Sequence, residues 1–347
     1  MSDSVSPGRT LLHPLAWMWR AGSAIQSARA RRARRTLETP VVSIGALTMG
    51  GAGKSPMVAH LAARLRGMGR NPAILTRGYK RTSREPIVIV PRGGKAPSES
   101  TGDEAQMFIR AGDAHVGIGA DRYEVGRRME AELAPDIFLL DDGFQHVQLQ
   151  RTHDVVLIDA SDPEAGGVFP AGRLREPMSA LGRATEIVIT RVEAGDDVAA
   201  IEQLLRRYNP LAPIFRSRVV PLKWIDAESG EELEVGALKR KRIGAFCGLA
   251  APESFWRTLE GLGIEPAMRR AFPDHHRYTP RDFERLEKGA DGCGAEVLVT
   301  TEKDAMNFGG LTLRSGVGLY WLKIGIEIHG ESDLLRRLLE KESGKPV

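Results

Sequence analysis

Short apolar runs alternate along this chain with segments of helical periodicity, the pattern of an α/β protein. The runs at 41–45, 72–76, 87–90, 115–119, 136–142, 154–160 and 186–191 predict buried strands. Between several of them lie helical segments; in 56–68, Val58, Leu61, Ala62 and Leu65 fall on one face. The texture changes after "PIFRSRVVPLKW". Residues 225–242 are polar and charged, with the turn pair Ser229-Gly230, and read as a hairpin or hinge. A second α/β set follows, with strands expected at 242–248, 295–301 and 318–328 and helices at 252–263 and 331–342. The expected organisation is an N-terminal arm over 1–38, a larger domain over 39–217 and a smaller α/β domain over 218–347, joined by a hinge.

The ends of the strands carry the chemistry. The first strand runs into "GALTMGGAGKSP", followed by an amphipathic helix. Gly50, Gly51 and Gly53 let the backbone turn its N–H groups inward around a phosphate. Ala52 lies among them, Lys54 reaches the terminal phosphates, and Ser55 offers a hydroxyl to Mg²⁺. The strict phosphate-loop pattern asks for glycine where Thr48 stands, so the loop entry has less room than usual. The fold class this predicts is α/β, a P-loop NTPase-like α/β/α kinase domain with the smaller α/β domain beside it in the chain. The strand 136–142 ends in Asp141 and Asp142, where P-loop enzymes hold Mg²⁺. Three further clusters stand out. In "STGDEAQ", Asp103 is either a helix N-cap or a general base. In "FPAGRLREP", Arg173, Arg175 and Glu176 either hold a phosphate or form a solvated loop. In "FPDHHRY", Asp274 precedes His275 and His276, which could orient one another and shuttle a proton.

Charge sharpens the picture of the arm. The net charge is +4, yet residues 1–35 hold seven arginines against one aspartate, which leaves the remaining 312 residues at about −2. The body is therefore not built as a nucleic-acid surface. In the arm, Leu11, Leu15, Met18 and Ile25 recur at helical spacing beside Leu12, Trp17 and Trp19, and Arg29, Arg31, Arg32, Arg34 and Arg35 close it. No run reaches the roughly 18–20 apolar residues of a bilayer span, and no cleavage site follows a clean apolar region. The arm reads as an interfacial helix on an anionic membrane, or as a helix packed on the body. Two cysteines, Cys247 and Cys293, are too few for a disulfide framework.

Taken in order, "GALTMGGAGKSP", "TRGYKR", "GDE", "DDGFQH", "PAGRLREP", "FCGLAAPESF", "FPDHH" and "TEKDA" resemble one family along nearly the whole chain: the tetraacyldisaccharide 4′-kinases, the lipid A kinases of Gram-negative bacteria. That family's loop also begins with threonine, so Thr48 is a family feature. The resemblance implies transfer of the γ-phosphoryl of ATP, with Mg²⁺, to the 4′-hydroxyl of a tetraacylated glucosamine disaccharide 1-phosphate, giving lipid IV-A. It also implies a peripheral place on the cytoplasmic face of the inner membrane, against an anionic lipid surface. Neither nucleic acid nor a protein partner is expected. By position it implies nucleotide contacts at Thr48, Gly50, Gly51, Ala52, Gly53, Lys54 and Ser55, metal contacts at Ser55, Asp141 and Asp142, with Asp142 also counted among the catalytic residues, and a catalytic base at Asp103. His275 or His276 is the partner of that base when the domains close. Arg77, Gln145, His146, Arg175 and Glu176 fall on polar positions expected to line the substrate. The family motif from Thr301 to Asp304 has no role assigned. This chain departs from the pattern at Ala46, where asparagine is frequent, at Thr152, where aspartate is frequent, and in a shorter stretch before "FPAG". Two other readings suit the same residues: a P-loop kinase of a soluble small molecule, and a membrane-docked nucleotide switch without catalysis.

Overall fold

The computed structural model describes residues 32–340 apart from 51, 80, 194, 275, 314 and 315, and the backbone but not the side chain of Asp103. The helical arm expected before residue 32 lies outside the described residues. The chain divides into two compact units. Residues up to Arg218 group with those from Ile326 onward, and Val219–Gly325 forms the second unit. The sequence reading assigns everything from 218 to the smaller domain, whereas the chain re-enters the first unit at Ile326.

The first unit contains β1 (Val41–Ala46), α1 (Lys54–Gly67), β2 (Pro72–Thr76), β3 (Ile87–Val90), α2 (Ser98–Thr101), α3 (Asp103–Ala111), β4 (His115–Gly119), α4 (Arg122–Leu133), β5 (Ile137–Asp141), β6 (His153–Asp159), a 3₁₀ turn (Met178–Arg183), β7 (Glu186–Thr190), α5 (Val198–Tyr208) and the start of β8 (Ile214–Asp226). Its strands run in the order β8-β7-β6-β1-β5-β2-β4-β3. All neighbours are parallel except the edge strand β3, which is antiparallel to β4. A parallel sheet is covered on both faces, and so β1, β2, β5, β6 and β7 are buried at every residue. On one face Val42, Ile44, Ile74 and Leu139 pack with Met57, Val58, Leu61 and Leu65 of α1 and with Phe108 of α3. On the other, Val41, Leu75, Phe138 and Leu140 pack with Val125 and Met129 of α4, while Ile158, Ile187 and Ile189 pack with Leu181 and with Leu205 of α5. This is the α/β/α layering expected from the sequence.

The second unit holds the end of β8, β9 (Glu232–Glu234), β10 (Ile243–Cys247), α6 (Glu253–Gly261), β11 (Met268–Ala271), α7 (Pro280–Cys293), β12 (Val297–Thr301), α8 (Glu302–Ala305) and the start of β13 (Gly318–His329). Strands β11, β10, β12 and β13 are parallel in that order. The polar stretch after Ile225 is a hairpin: β8 and β9 pair antiparallel, Asp226 accepts from the amides of Glu228 and Ser229, and Gly230 takes φ +74°. Strand β13 carries the chain back to the first unit, where α9 (Glu331–Leu339) places Leu334, Leu335 and Leu338 in the core that contains α1.

The basic run meets the body at its described end. Arg35 exchanges backbone hydrogen bonds with Gln148 and Gln150, and its guanidinium donates to both carboxylate oxygens of Asp121 at 2.6 and 2.5 Å. Arg34 donates to Val147 O and Gln150 Oε1. Two of the five arginines credited to a membrane surface are thus engaged within the protein. Among the described residues no helix is long and apolar enough to cross a membrane.

Candidate active site

In a parallel sheet the loops leaving the C-terminal strand ends form the binding edge. The loop after β1 supplies the first part of the site. Gly50 and Gly53 have φ +73° and +76°, a region that disfavours other residues, and Gly53 caps α1. Gly51 lies outside the described residues. Thr48 is buried, donates its hydroxyl to Gly50 O at 3.2 Å and forms an antiparallel bridge with Leu174. Met49 N donates to Arg173 O and Arg175 N to Leu47 O, so the "PAGRLREP" segment is stitched along the phosphate loop. Ala52 is buried, and its carbonyl accepts from Thr190 Oγ1 at the end of β7. Lys54 and Ser55 open α1.

Asp141 and Asp142 follow on the adjacent strand. Asp141 ends β5 and is 3% exposed; its Oδ2 accepts from Thr76 Oγ1 at 3.1 Å, and its buried Oδ1 has no hydrogen-bond partner among the described residues. Burial, Glu104 and Asp142 raise its pKa to about 7, against the opposing pull of Thr76 and Lys54. Asp142, just past the strand end, adopts the left-handed φ of +49°. It pairs with Lys54 Nζ at 3.4 Å and with Arg175 Nη1 at 2.7 Å. Burial alone would raise its pKa, but the charges of Lys54 and Arg175 outweigh it and hold the group below the usual carboxylate range. The adjacent aspartates therefore differ in state: Asp142 is a paired anion, and Asp141 is a carboxyl without a direct ion pair among the described residues, its charge supported by Lys54 less than burial and its acidic neighbours oppose it. An oxygen without a partner beside a lysine, with the Ser55 hydroxyl on α1, matches the hard oxygen donors of Mg²⁺.

The remaining predicted residues fall into two layers. Arg175 reaches Asp142 and also donates to Gln145 Oε1 at 3.3 Å. Gln145 donates to Ala46 O and to Glu176 Oε1, and Glu176 is gripped by Arg183 at 2.9 and 3.0 Å. Gln145 and Glu176 therefore brace the loops behind Arg175. His146 is half-buried; burial, Arg122 and Arg151 lower its pKa to about 4, so it is neutral at physiological pH. Arg77 is exposed just beyond β2. Asp103 is the first residue of α3, and a Cβ at the preceding Gly102 would collide with Tyr79 O, which sets the "GDE" turn against the "TRGY" turn. The Asp103 side chain lies outside the described residues, but its neighbour Glu104 is near enough to act on Asp141.

Sequence reasoning missed Arg122. It opens α4 at 8% exposure, donates to Ala120 O, and has a buried Nε without a partner among the described residues. Burial and the charge of Arg77 depress its pKa, and Asp141 and Asp142 oppose that shift. The available signal was an arginine just past a strand end, directly after the N-cap Asp121.

The "DHH" cluster belongs to the second unit. His276 Nε2 lies 3.0 Å from Asp282 Oδ2 and its ring stacks on Phe272 at 4.8 Å. His275 lies outside the described residues.

Residues 8–343 match the family described as Tetraacyldisaccharide-1-P 4'-kinase. A tetraacyldisaccharide 4'-kinase of Anaeromyxobacter sp. (strain K) is 39% identical over 307 residues, covering 87% of this chain and 81% of that one. One from Syntrophobacter fumaroxidans is 37% identical over 336 residues, covering 94% and 85%. Among solved structures, LpxK from Aquifex aeolicus, described as an "apo" form in complex with ATP, superposes with a TM-score of 0.75 at 28% identity, covering 95% of this chain and 98% of that one. By its motifs, its fold and these matches, the chain belongs to the tetraacyldisaccharide-1-phosphate 4′-kinase family.

Proposed function

We propose that the chain transfers the γ-phosphoryl of ATP to the 4′-hydroxyl of a tetraacylated glucosamine disaccharide 1-phosphate, the lipid A step that yields lipid IV-A. The observation that carries this reading is the acidic pair at the end of β5, with Lys54 on the half-buried Asp142 and an unpaired oxygen on the buried Asp141, inside a chain of this family. Phosphoryl transfer asks mainly for position and charge stabilisation. The amides of the loop from Thr48 to Ser55 and the Lys54 ammonium bind the β- and γ-phosphates. Ser55, Asp141 and Asp142 hold Mg²⁺, which when bound neutralises charge on the phosphates. Arg175 takes its place at the transferring group while Gln145 and Glu176 keep it aimed. Arg122 adds a second guanidinium on the acidic pair's side, and Arg77 and neutral His146 complete the polar lining. Asp103 accepts the proton of the sugar hydroxyl. His275 or His276 is the histidine that acts with Asp103; His276 is held by Asp282.

A substrate whose acyl chains stay in the bilayer requires an enzyme at its surface. The apolar arm, with Arg29, Arg31 and Arg32, supplies that attachment on the cytoplasmic face. The test is an assay with labelled ATP and tetraacyl disaccharide 1-phosphate, with the position of the new phosphate determined. Label on the 4′-oxygen is expected. Label elsewhere on the sugar, or transfer only to soluble acceptors, would overturn the reading.

A further inference from the structure

The run from Thr301 to Asp304 closes β12 and begins α8. Asp304 is 1% exposed, and both its oxygens are engaged. Oδ1 accepts from Gly248 N at 2.8 Å and from Tyr278 OH at 2.9 Å; Oδ2 accepts from Thr301 Oγ1 at 2.6 Å. Gly248 must be small here, since a Cβ would stand 2.9 Å from Asp304 Oδ1 and 3.1 Å from Pro273 O. One residue earlier, Lys303 Nζ lies 2.6 Å from Asp274 Oδ1. Three segments distant in sequence, "FCGLA", "FPDHHRY" and "TEKD", therefore meet at two adjacent side chains.

The loop they grip is the one that bears the histidine pair. Its first residue is paired with Lys303 and its last with Asp304. Between them His276 donates its amide to Pro273 O, stacks on Phe272, and meets the Tyr278 ring edge-on at 5.0 Å. The two grips differ in kind. A buried carboxylate with three donors is part of the core of this unit, and stripping it leaves orphaned groups. The Lys303–Asp274 pair is more than a third exposed on both sides, and such pairs add little to global stability. What a pair of this kind does is fix where a loop lies.

We propose that Lys303 and Asp304 are positioning residues for phosphoryl transfer: they set the register of the loop from Asp274 to Tyr278 through its two ends, and touch neither nucleotide nor lipid. This rests on the function proposed above, in which that loop provides the histidine that acts with Asp103. A purely architectural role would lower stability and leave turnover per folded molecule unchanged.

The test compares Lys303→Ala, Lys303→Arg and Tyr278→Phe with the wild type, in the full chain, by steady-state kinetics and by hydrogen exchange of peptides over 272–282. The two Lys303 variants leave all three donors of Asp304 in place, Tyr278→Phe removes one of them, and the melting temperature of each variant checks that it is folded. Lys303→Ala and Tyr278→Phe are expected to lower kcat about tenfold through misplacement of the loop, with KM for ATP changed by less than about twofold. Lys303→Arg should restore most of kcat. Exchange over 272–282 should quicken in the two impaired variants and stay as in the wild type over 41–60. Unchanged exchange would overturn the grip itself. Faster exchange with unchanged kcat would overturn its part in transfer. A wild type that does not phosphorylate the 4′-position would overturn the function instead, and the exchange measurement would still decide the grip.

Discussion

Replacing Asp141 by asparagine should make the nucleotide-free protein more stable and the enzyme nearly inactive. The carboxyl titrates near 7 in the fold against 3.8 in the unfolded chain, because burial, Glu104 and Asp142 disfavour its charge more than Lys54 and Thr76 support it. A folded pKa above the unfolded one means that the native state binds the extra proton. Ionisation therefore costs stability as pH rises from about 4, and the full cost is reached above about 7. Three pKa units correspond to about 4 kcal/mol at pH 8, falling to about 2 kcal/mol at pH 5 and to nearly nothing at pH 3. Asparagine has the same shape, keeps an oxygen for Thr76 and carries no charge. In metal-free buffer the variant should melt on the order of 5–10 °C higher at pH 8, with less than half that gain at pH 5. Adding Mg²⁺ and ATP should reverse the order, since only the wild type then gains a charge partner for its open oxygen, and kcat should fall roughly 10²–10³-fold. A variant that melts at or below the wild type at pH 8, or with a gain independent of pH, would refute the account of an uncompensated carboxylate.

Other outcomes follow from the same geometry. Lys54→Ala should raise KM for ATP and lower kcat, whereas Asp103→Ala should nearly abolish turnover with ATP affinity intact; near-normal turnover in the second removes Asp103 as the base. Deleting residues 1–31 should release the protein from anionic vesicles without changing its melting temperature. Deleting 1–35 should also destabilise it by about 1–2 kcal/mol, because Arg34 and Arg35 bond to Val147, Gln150, Asp121 and Glu124; equal melting of the two truncations would show those contacts to be idle. Gly45→Ala puts a Cβ 2.5 Å from Phe144 Cβ and 2.7 Å from Phe144 N. It should cost about 1–3 kcal/mol of stability by overpacking and weaken ATP binding in a titration, by prising the phosphate loop from the acidic turn.

Much of the first unit was legible because parallel strands buried on both faces write themselves as unbroken apolar runs. Val41–Ala46, Pro72–Thr76 and Ile137–Asp141 all lie where such runs stand. Asp141 and Asp142 stood out for a related reason, as acidic residues where a buried strand ends, and Lys54 stood out at the close of the glycine-rich loop between β1 and α1. Less visible was anything that depends on which loops meet. Nothing local in "PAGRLREP" says that Arg175 will bond Asp142, or that Glu176 will pair with Arg183. Arg122 looked like an ordinary helix residue, and its meaning comes from carboxylates some twenty positions away. The return of the chain at Ile326 escaped notice because β13 is one continuous strand, without the break in composition that marks a boundary.

That return has a consequence for synthesis. The second unit is contiguous in the chain, whereas the first is interrupted, and its core includes Leu334, Leu335 and Leu338 from the last described helix. On the ribosome domains ordinarily mature in the order they emerge. Here the larger unit, with the phosphate loop already made, cannot close its interior until Leu334, Leu335 and Leu338 have been made, and the smaller insert can finish first. A nascent chain stalled before residue 334 would display the α1 face of Met57, Val58, Leu61 and Leu65 without its last neighbours, an exposed apolar surface of the kind that chaperones bind.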